Sequence, residues 1–230
     1  MRRTDATDWN RYYEQPCPAA SLTRRFTAGR LLNAITRHAP HRAGGLVLAE
    51  LGGGASCCHD LLLKRLRPAR YHVVDNNTLG LELLPRHERI ERHQFDLRQG
   101  FPDLRADVVF SLGLIEHFDP ADTARVIQAH FDLAAPDGLV VMTFPTPTGV
   151  YRLARAVAEA LGLWMFKDER PLTLAEVAAT AGVSGELAQV EVLWPVVFTQ
   201  ALMALKVCGQ RPVPVPAPAP SVPAPAGAEA

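Results

Sequence analysis

The sequence predicts an α/β fold: a doubly wound sheet, mostly parallel, with a late antiparallel strand and an N-terminal helical lid. Three observations predict it. Short apolar runs alternate with helical periodicities along most of the chain, the pattern of βαβ units. One run, Leu46 to Leu51, carries Glu50 near its end and passes into Gly52, Gly53 and Gly54 before a helix-like segment. A later run, Tyr71 to Asp75, ends in an acid about 20 residues past those glycines.

A chain of 230 residues is one domain with a core large enough to fold alone, and 48% hydrophobic residues is ordinary for a globular protein. Lys plus Arg equals Asp plus Glu, so the basic footprint of a nucleic-acid binder is missing. Cys17, Cys57, Cys58 and Cys208 make no disulfide framework in a chain this long, which points to a reducing compartment. Cys57-Cys58-His59 reads as a small-residue helix start rather than half of a metal site, because no second ligand pair follows at zinc-like spacing. No acid-and-asparagine cluster marks a cation site either, so no metal is expected. No signal peptide opens the chain and no run of about 18 apolar residues occurs, so a cytoplasmic location is expected.

Residues 1–20 read as irregular, with Trp9, Tyr12 and Tyr13 followed by prolines. These aromatics are either a flap packed on the body or a lid whose rings face a cation. A helix runs from Ser21 to about His38, with Leu22, Phe26, Leu31, Leu32 and Ile35 at helical spacing. The first strand and its glycine turn come next. Glycine lets a ligand approach the backbone and the chain take φ > 0. The N–H groups of the following helix, expected from about Ser56 to Leu66, would then face that ligand. Glu50 is costly at a buried strand end unless something pairs with it, and a ligand ammonium would do so.

Strand 71–75 is followed by a helix through Leu84, so Asp75 either accepts from ribose hydroxyls or serves the helix start with Asn76 and Asn77. Residues 89–95 form a weaker strand, then Asp96 and Leu97. Val108 to Phe110 is a buried strand, Ser111 to Gly113 is small enough for close backbone approach, and a helix covers 121–134. A Pro-Asp-Gly turn precedes the strand at 138–145.

Segment 149–163 is an amphipathic helix with Arg152, Arg155 and Glu159 on one side and Val150, Leu153, Val157 and Leu161 on the other. Core packing of that apolar side is the default, with a pocket wall or membrane-facing surface as alternatives. Residues 167–171 look charged and exposed. A Thr173-x-x-Glu176 capping box opens a helix to Ala181. Two strands follow at 187–197 and 199–208, with Pro195 at a bulge or edge. The proline- and alanine-rich tail 211–230 cannot bury a core.

Glu50-Leu-Gly-Gly-Gly-Ala-Ser56 resembles the first motif of the class I S-adenosylmethionine (SAM)-dependent methyltransferases, with Ser56 at the third glycine position. Asp107-Val-Val-Phe-Ser-Leu-Gly-Leu-Ile-Glu-His-Phe-Asp-Pro120 resembles a fourth motif found in small-molecule members such as the ubiquinone-biosynthesis methyltransferases. The resemblance covers about residues 45–145 by motif. It implies a Rossmann-like domain over 41–210, a lid over 1–40, and SAM as cofactor. It places Glu50, Gly52, Gly53 and Gly54 at the turn, and Asp75 with Asn76 at the ribose. Asp96 would meet the adenine amino group and the Leu97 N–H a ring nitrogen. Ser111 and Gly113, with Leu114 near, would line the methionine side.

The implied reaction moves a methyl group to an oxygen or nitrogen of a small-molecule acceptor. His117, Tyr12 and Tyr13 are the candidate bases, with a purely structural His117 as the alternative. A nicotinamide-dependent oxidoreductase and a non-catalytic SAM-binding or interaction module remain the rival readings. A homodimer stays open.

Overall fold

The computed structural model describes residues 7–14, 18–193 and 199–208. Seven strands build one sheet: β1 (Val47–Leu51), β2 (Arg70–Asp75), β3 (Ile90–Gln94), β4 (Ala106–Leu112), β5 (Ala134–Pro145), β6 (Gly185–Leu193) and β7 (Gln200–Val207). Their order is β3-β2-β1-β4-β5-β7-β6, with β1 to β5 parallel and β7 antiparallel to both β5 and β6. The expected doubly wound sheet with a late antiparallel strand is therefore present. Its order reverses between β1 and β4, and in open α/β sheets such a switch point forms a crevice at the strands' carboxyl ends.

Alternation along the strands supplies two cores. Tyr71, Val73, Val108, Phe110 and Leu139 face α2 (Pro18–His38) and α3 (His59–Leu66), meeting Leu31, Ile35 and Leu62. Leu51, Val74, Val109, Val140 and Met142 face α5 (Pro120–Leu133) and α7 (Leu174–Ala181), meeting Val126, Ile127, Phe131 and Val177. Each core side chain removed from water contributes on the order of 2 kcal/mol. The caps are local: Thr173 accepts from the Glu176 N–H, as expected, and Asp119 from the Asp122 N–H.

Several elements differ from expectation. Trp9–Glu14 is a helix, α1, rather than irregular, and α2 starts at Pro18 rather than Ser21. Phe26 is largely exposed, while Ala28 and Ala34 share the packed face with Leu31 and Ile35. α3 begins at His59, because the chain from Gly52 to Cys58 is taken up by the turn. The helix after β2, α4, is short (Thr78–Glu82) and is capped by Asn77, whose side chain accepts from the Gly80 N–H. β5 begins before the Pro-Asp-Gly turn, which becomes an irregularity inside the strand, with Asp137 at φ 63°. The Pro195 expectation and the 211–230 tail lie outside the described residues.

The largest correction concerns α6 (Gly149–Ala160). Its apolar stripe does not pack on the core: Val150 and Val157 are exposed, and Leu153 and Leu161 are 68% and 66% exposed. Tyr151 and Arg155 are covered instead, while Arg152 and Glu159 stay exposed. Tyr151 is buried, its hydroxyl donates to Glu169, and Arg155 donates to the Glu169 carbonyl at 2.9 Å while stacking on Trp164. Hydrophobic periodicity detects two faces but does not say which one the chain covers.

Candidate active site

The glycine turn takes the shape its residues allow. Gly52 has φ 67° and donates its N–H to the Val74 carbonyl at 2.8 Å, which ties the turn to the end of β2. The Gly54 N–H donates to the Asp75 carboxylate at 2.8 Å across the 21 residues that separate them. A Cβ on Gly54 would stand 2.6 Å from the Tyr13 hydroxyl and 2.9 Å from Asp75 Oδ2, and one on Gly53 would strike Glu50 and Val73 at 2.7–2.8 Å. Side chains at these positions would block the crevice or push the turn open.

Two carboxylates flank the turn. Glu50 is almost fully buried and accepts from the hydroxyls of Tyr71 and Ser56 and from the Cys58 thiol. None of these donors carries charge. Burial therefore wins over the hydrogen bonds and pushes the Glu50 carboxyl up to about 7. Asp75 accepts from the Gly54 and Asn77 N–H groups, both at 2.8 Å, and from Tyr13 at 3.5 Å. The Asp75 carboxylate therefore braces the turn and lines the cavity, while Asn77 caps α4.

A cavity of about 610 Å³ opens over this turn. Its floor is the turn with Asp75, Asn76, Leu97, Gly113 and Leu114, and its roof comes from α1 and α2. Trp9, Tyr12, Tyr13 and Phe166 form a linked aromatic group, with ring centroids 5.3–6.3 Å apart. Thr7, Trp9, Tyr12 and Tyr13 thus line the cavity from the N-terminal segment. The Tyr12 π-face is already taken by the Arg24 guanidinium, 4.8 Å from the ring centroid.

The far end of the cavity is acidic. His117 lies on a 3-10 turn, Ile115–His117, that sequence periodicity does not reveal. Its Nδ1 is 2.9 Å from Asp168, which also accepts from the Thr7 N–H at 3.3 Å and from the Thr7 hydroxyl. Burial alone would lower the imidazole; the Asp168 hydrogen bond and the nearby carboxylates outweigh it and hold His117 above its ordinary value. Asp168 goes the other way, down to about 2, because the hydrogen bonds from His117 and Thr7 overcome burial. Residues 167–171, expected to be exposed, thus send Asp168 and Glu169 into the cavity wall. Glu116, His117 and Glu169 each bring one possible ligand atom within 4.8 Å of the others.

Glu116 is 2% exposed and its Oε2 has no hydrogen-bond partner among the described residues. Burial first, then the charges of Glu169 and Asp168, push its carboxyl up from 4.5 to about 8. A folded-state acid pKa above the unfolded value means stability falls as pH rises from the unfolded to the folded value. Glu116→Gln is therefore expected to stabilise the free protein by a few kcal/mol, about 1.4 per pKa unit. The gain should be larger at pH 9 than at pH 6, read from thermal unfolding. An equal or smaller gain at the higher pH would show that Glu116 is not held protonated.

The structure does not gather every expected residue. Ser111 is fully buried beneath the cavity, where its hydroxyl donates to His130 Nε2 at 2.9 Å. That direction follows because His130 Nδ1 donates to the Val126 carbonyl, and burial lowers this imidazole to about 4. Strand alternation points Ser111 at α5, so its side chain does not line the cavity. Asp96 does line the cavity, but its carboxylate holds Arg98 Nε and Nη2 at 2.8 and 2.6 Å, the Arg98 N–H at 3.0 Å and Gln99 at 3.2 Å. These bonds are those of a turn-forming aspartate. Tyr13 stands at Asp75, not at His117, and burial beside that carboxylate raises its hydroxyl well above the ordinary value. A phenol so placed is a poor base.

Sequence reasoning missed Arg24, Phe166, Asp168 and Glu169. Arg24 is one of several arginines on α2, and nothing in the helical period distinguishes it. In the structure its Nη2 is buried on the cavity wall with no hydrogen-bond partner among the described residues, and burial lowers its pKa.

No protein-family model matches the chain, and no curated protein matches it significantly. Solved structures share its fold. Magnesium protoporphyrin IX methyltransferase (ChlM) from Synechocystis PCC 6803, with bound SAH, superposes with a TM-score of 0.64 at 15% identity, covering 87% of this chain and 93% of that one. The N-methyltransferase NodS from Bradyrhizobium japonicum WM9, in complex with S-adenosyl-L-homocysteine, gives 0.61 at 13% identity over 89% and 93%. An O-methyltransferase family protein from Burkholderia thailandensis gives 0.55 at 16% identity over 90% and 65%. The fold is that of the class I SAM-dependent methyltransferases.

Proposed function

We propose that this chain is a SAM-dependent methyltransferase that transfers the sulfonium methyl to an oxygen or nitrogen of a small-molecule acceptor. One observation carries the cofactor assignment. The same cavity wall holds Glu50, a buried carboxyl, and Arg24, a half-buried side chain whose Nη2 is shielded from water; among the described residues Glu50 has no cation and that Nη2 no hydrogen-bond partner. The Cys57 thiol feels the charges of both. Groups buried like this cost stability until a partner arrives, and the ammonium and carboxylate of a free amino-acid moiety satisfy both. Asp75, one wall further on, fits a vicinal diol. Gly52 to Gly54 leave room for the chain that joins the two.

SAM supplies an electrophilic methyl on a good leaving group. The protein's part is to hold the acceptor in line, at about 3–3.5 Å, which lowers the barrier by several kcal/mol. His117 would take the acceptor's proton. Its Nδ1–H donates to Asp168, which fixes the tautomer and leaves the lone pair on Nε2. Trp9 and Phe166 pack edge-on against the imidazole and exclude water around it. Asp96 would keep its turn with Arg98, so the adenine reading rests on Leu97. The free thiols of Cys57, Cys58 and Cys208 accord with a cytoplasmic setting.

Titration calorimetry with SAM tests the reading, with a thermal shift expected at excess cofactor, equivalent to about 2.7 kcal/mol at a hundredfold excess over Kd. Absence of both heat and shift would remove it. Arg24→Met is expected to weaken SAM binding about 10–100-fold, the value of a hydrogen bond to a charged group. Affinity equal to wild type would detach Arg24 from the cofactor.

A further inference from the structure

We propose that His72, Glu91 and His93 form a site for a divalent transition ion of the zinc class, on the outer strands of the sheet and apart from the cavity. β2 and β3 run parallel with His72 opposite Glu91, and His93 follows two residues later on the same face. The sheet itself brings the three together. His72 Nδ1 lies 3.0 Å from His93 Nε2 and 3.3 Å from Glu91 Oε2, and all three donor atoms lie within 4.8 Å of one another.

Those spacings are informative. Ligands about 2.0–2.1 Å from a tetrahedral ion stand about 3.3–3.4 Å apart. Two of the three spacings are thus close to an edge of a coordination tetrahedron before any ion arrives, and the third is no longer than 4.8 Å. Two imidazoles and one carboxylate form the donor set of three-ligand zinc centres, which leave a fourth position to water. The Glu91 side chain is 41% exposed, so an ion can enter and keep that water. Glu91 Oε1 accepts from Arg70 at 3.0 Å, which orients the carboxylate as outer-shell partners of metal ligands do. The guanidinium is well exposed, so solvent screens its repulsion of an ion.

An ion there would clip the edge strand β3 to β2. The inference does not depend on the methyl-transfer reading.

The test uses the full chain, stripped with a chelator and titrated with cobalt(II), then competed with zinc. One equivalent is expected to bind with the intense visible bands of tetrahedral cobalt, and zinc should abolish them. His93→Ala and Glu91→Gln alter half-exposed side chains at the sheet edge. Each is expected to keep the wild-type circular dichroism and to weaken cobalt binding by at least about 100-fold, the upper end of the loss for an outer-shell partner. Glu116→Gln should leave the bands in place. Wild-type binding that survives His93→Ala, or that disappears only in Glu116→Gln, would overturn the assignment. So would the absence of cobalt bands at millimolar metal.

Discussion

Replacing His117 by alanine is expected to lower turnover by about 10²–10⁴-fold, the usual contribution of a positioned general base. SAM affinity should stay within a few fold, because the turn, Asp75 and Arg24 are untouched. The pH profile carries the sharper signature. The base works only when neutral, and its hydrogen bond to Asp168 and the neighbouring carboxylates raise its pKa above the usual histidine value. Activity should therefore rise with pH through an inflection above 6.5. That limb should vanish in His117→Ala. Asp168→Asn should move the inflection down, since the paired charge is gone while the imidazole remains. Full turnover in His117→Ala, or an unmoved limb, would reduce His117 to a structural residue of the 3-10 turn.

Asp75→Ala is expected to weaken SAM binding about 10²–10⁴-fold. A carboxylate gripping two ribose hydroxyls makes two charge-assisted hydrogen bonds, each contributing about 1.5–3 kcal/mol. The substitution also strands the Gly54 and Asn77 N–H groups, which now donate to that carboxylate. Some loss of thermal stability must accompany it, about 1–3 kcal/mol for each orphaned group. Calorimetry on the folded variant, well below its transition, separates the two effects. Affinity unchanged in a folded variant would mean that Asp75 only braces the turn.

Much of the sheet was legible because its signals are local. An unbroken apolar run such as Val108–Phe110 reads as a buried strand wherever it sits. The 20-residue spacing from the glycines to Asp75 is one βαβ pass, and it became a hydrogen bond. Ser111 differs from the expectation in where its side chain points. Its size suited a cavity wall, but strand alternation turned it to His130, and a one-residue parity decides such a matter. On α6 the periodicity was strong, yet Tyr151 and Arg155 were covered and the apolar stripe left out, because Glu169 arrives to accept from Tyr151 and to pair with Arg155.

By itself the sequence determined the α/β architecture, the glycine turn and the acid that closes it. Each of these follows from backbone sterics and periodicity within a few dozen residues. Only the tertiary structure decided that Arg24, Thr7, Asp168 and Glu169 share a cavity with His117, and that two histidines from adjacent strands meet at 3.0 Å. Those meetings join segments as far as 161 residues apart. No local preference encodes them, since they depend on which faces the sheet leaves open after its core is packed.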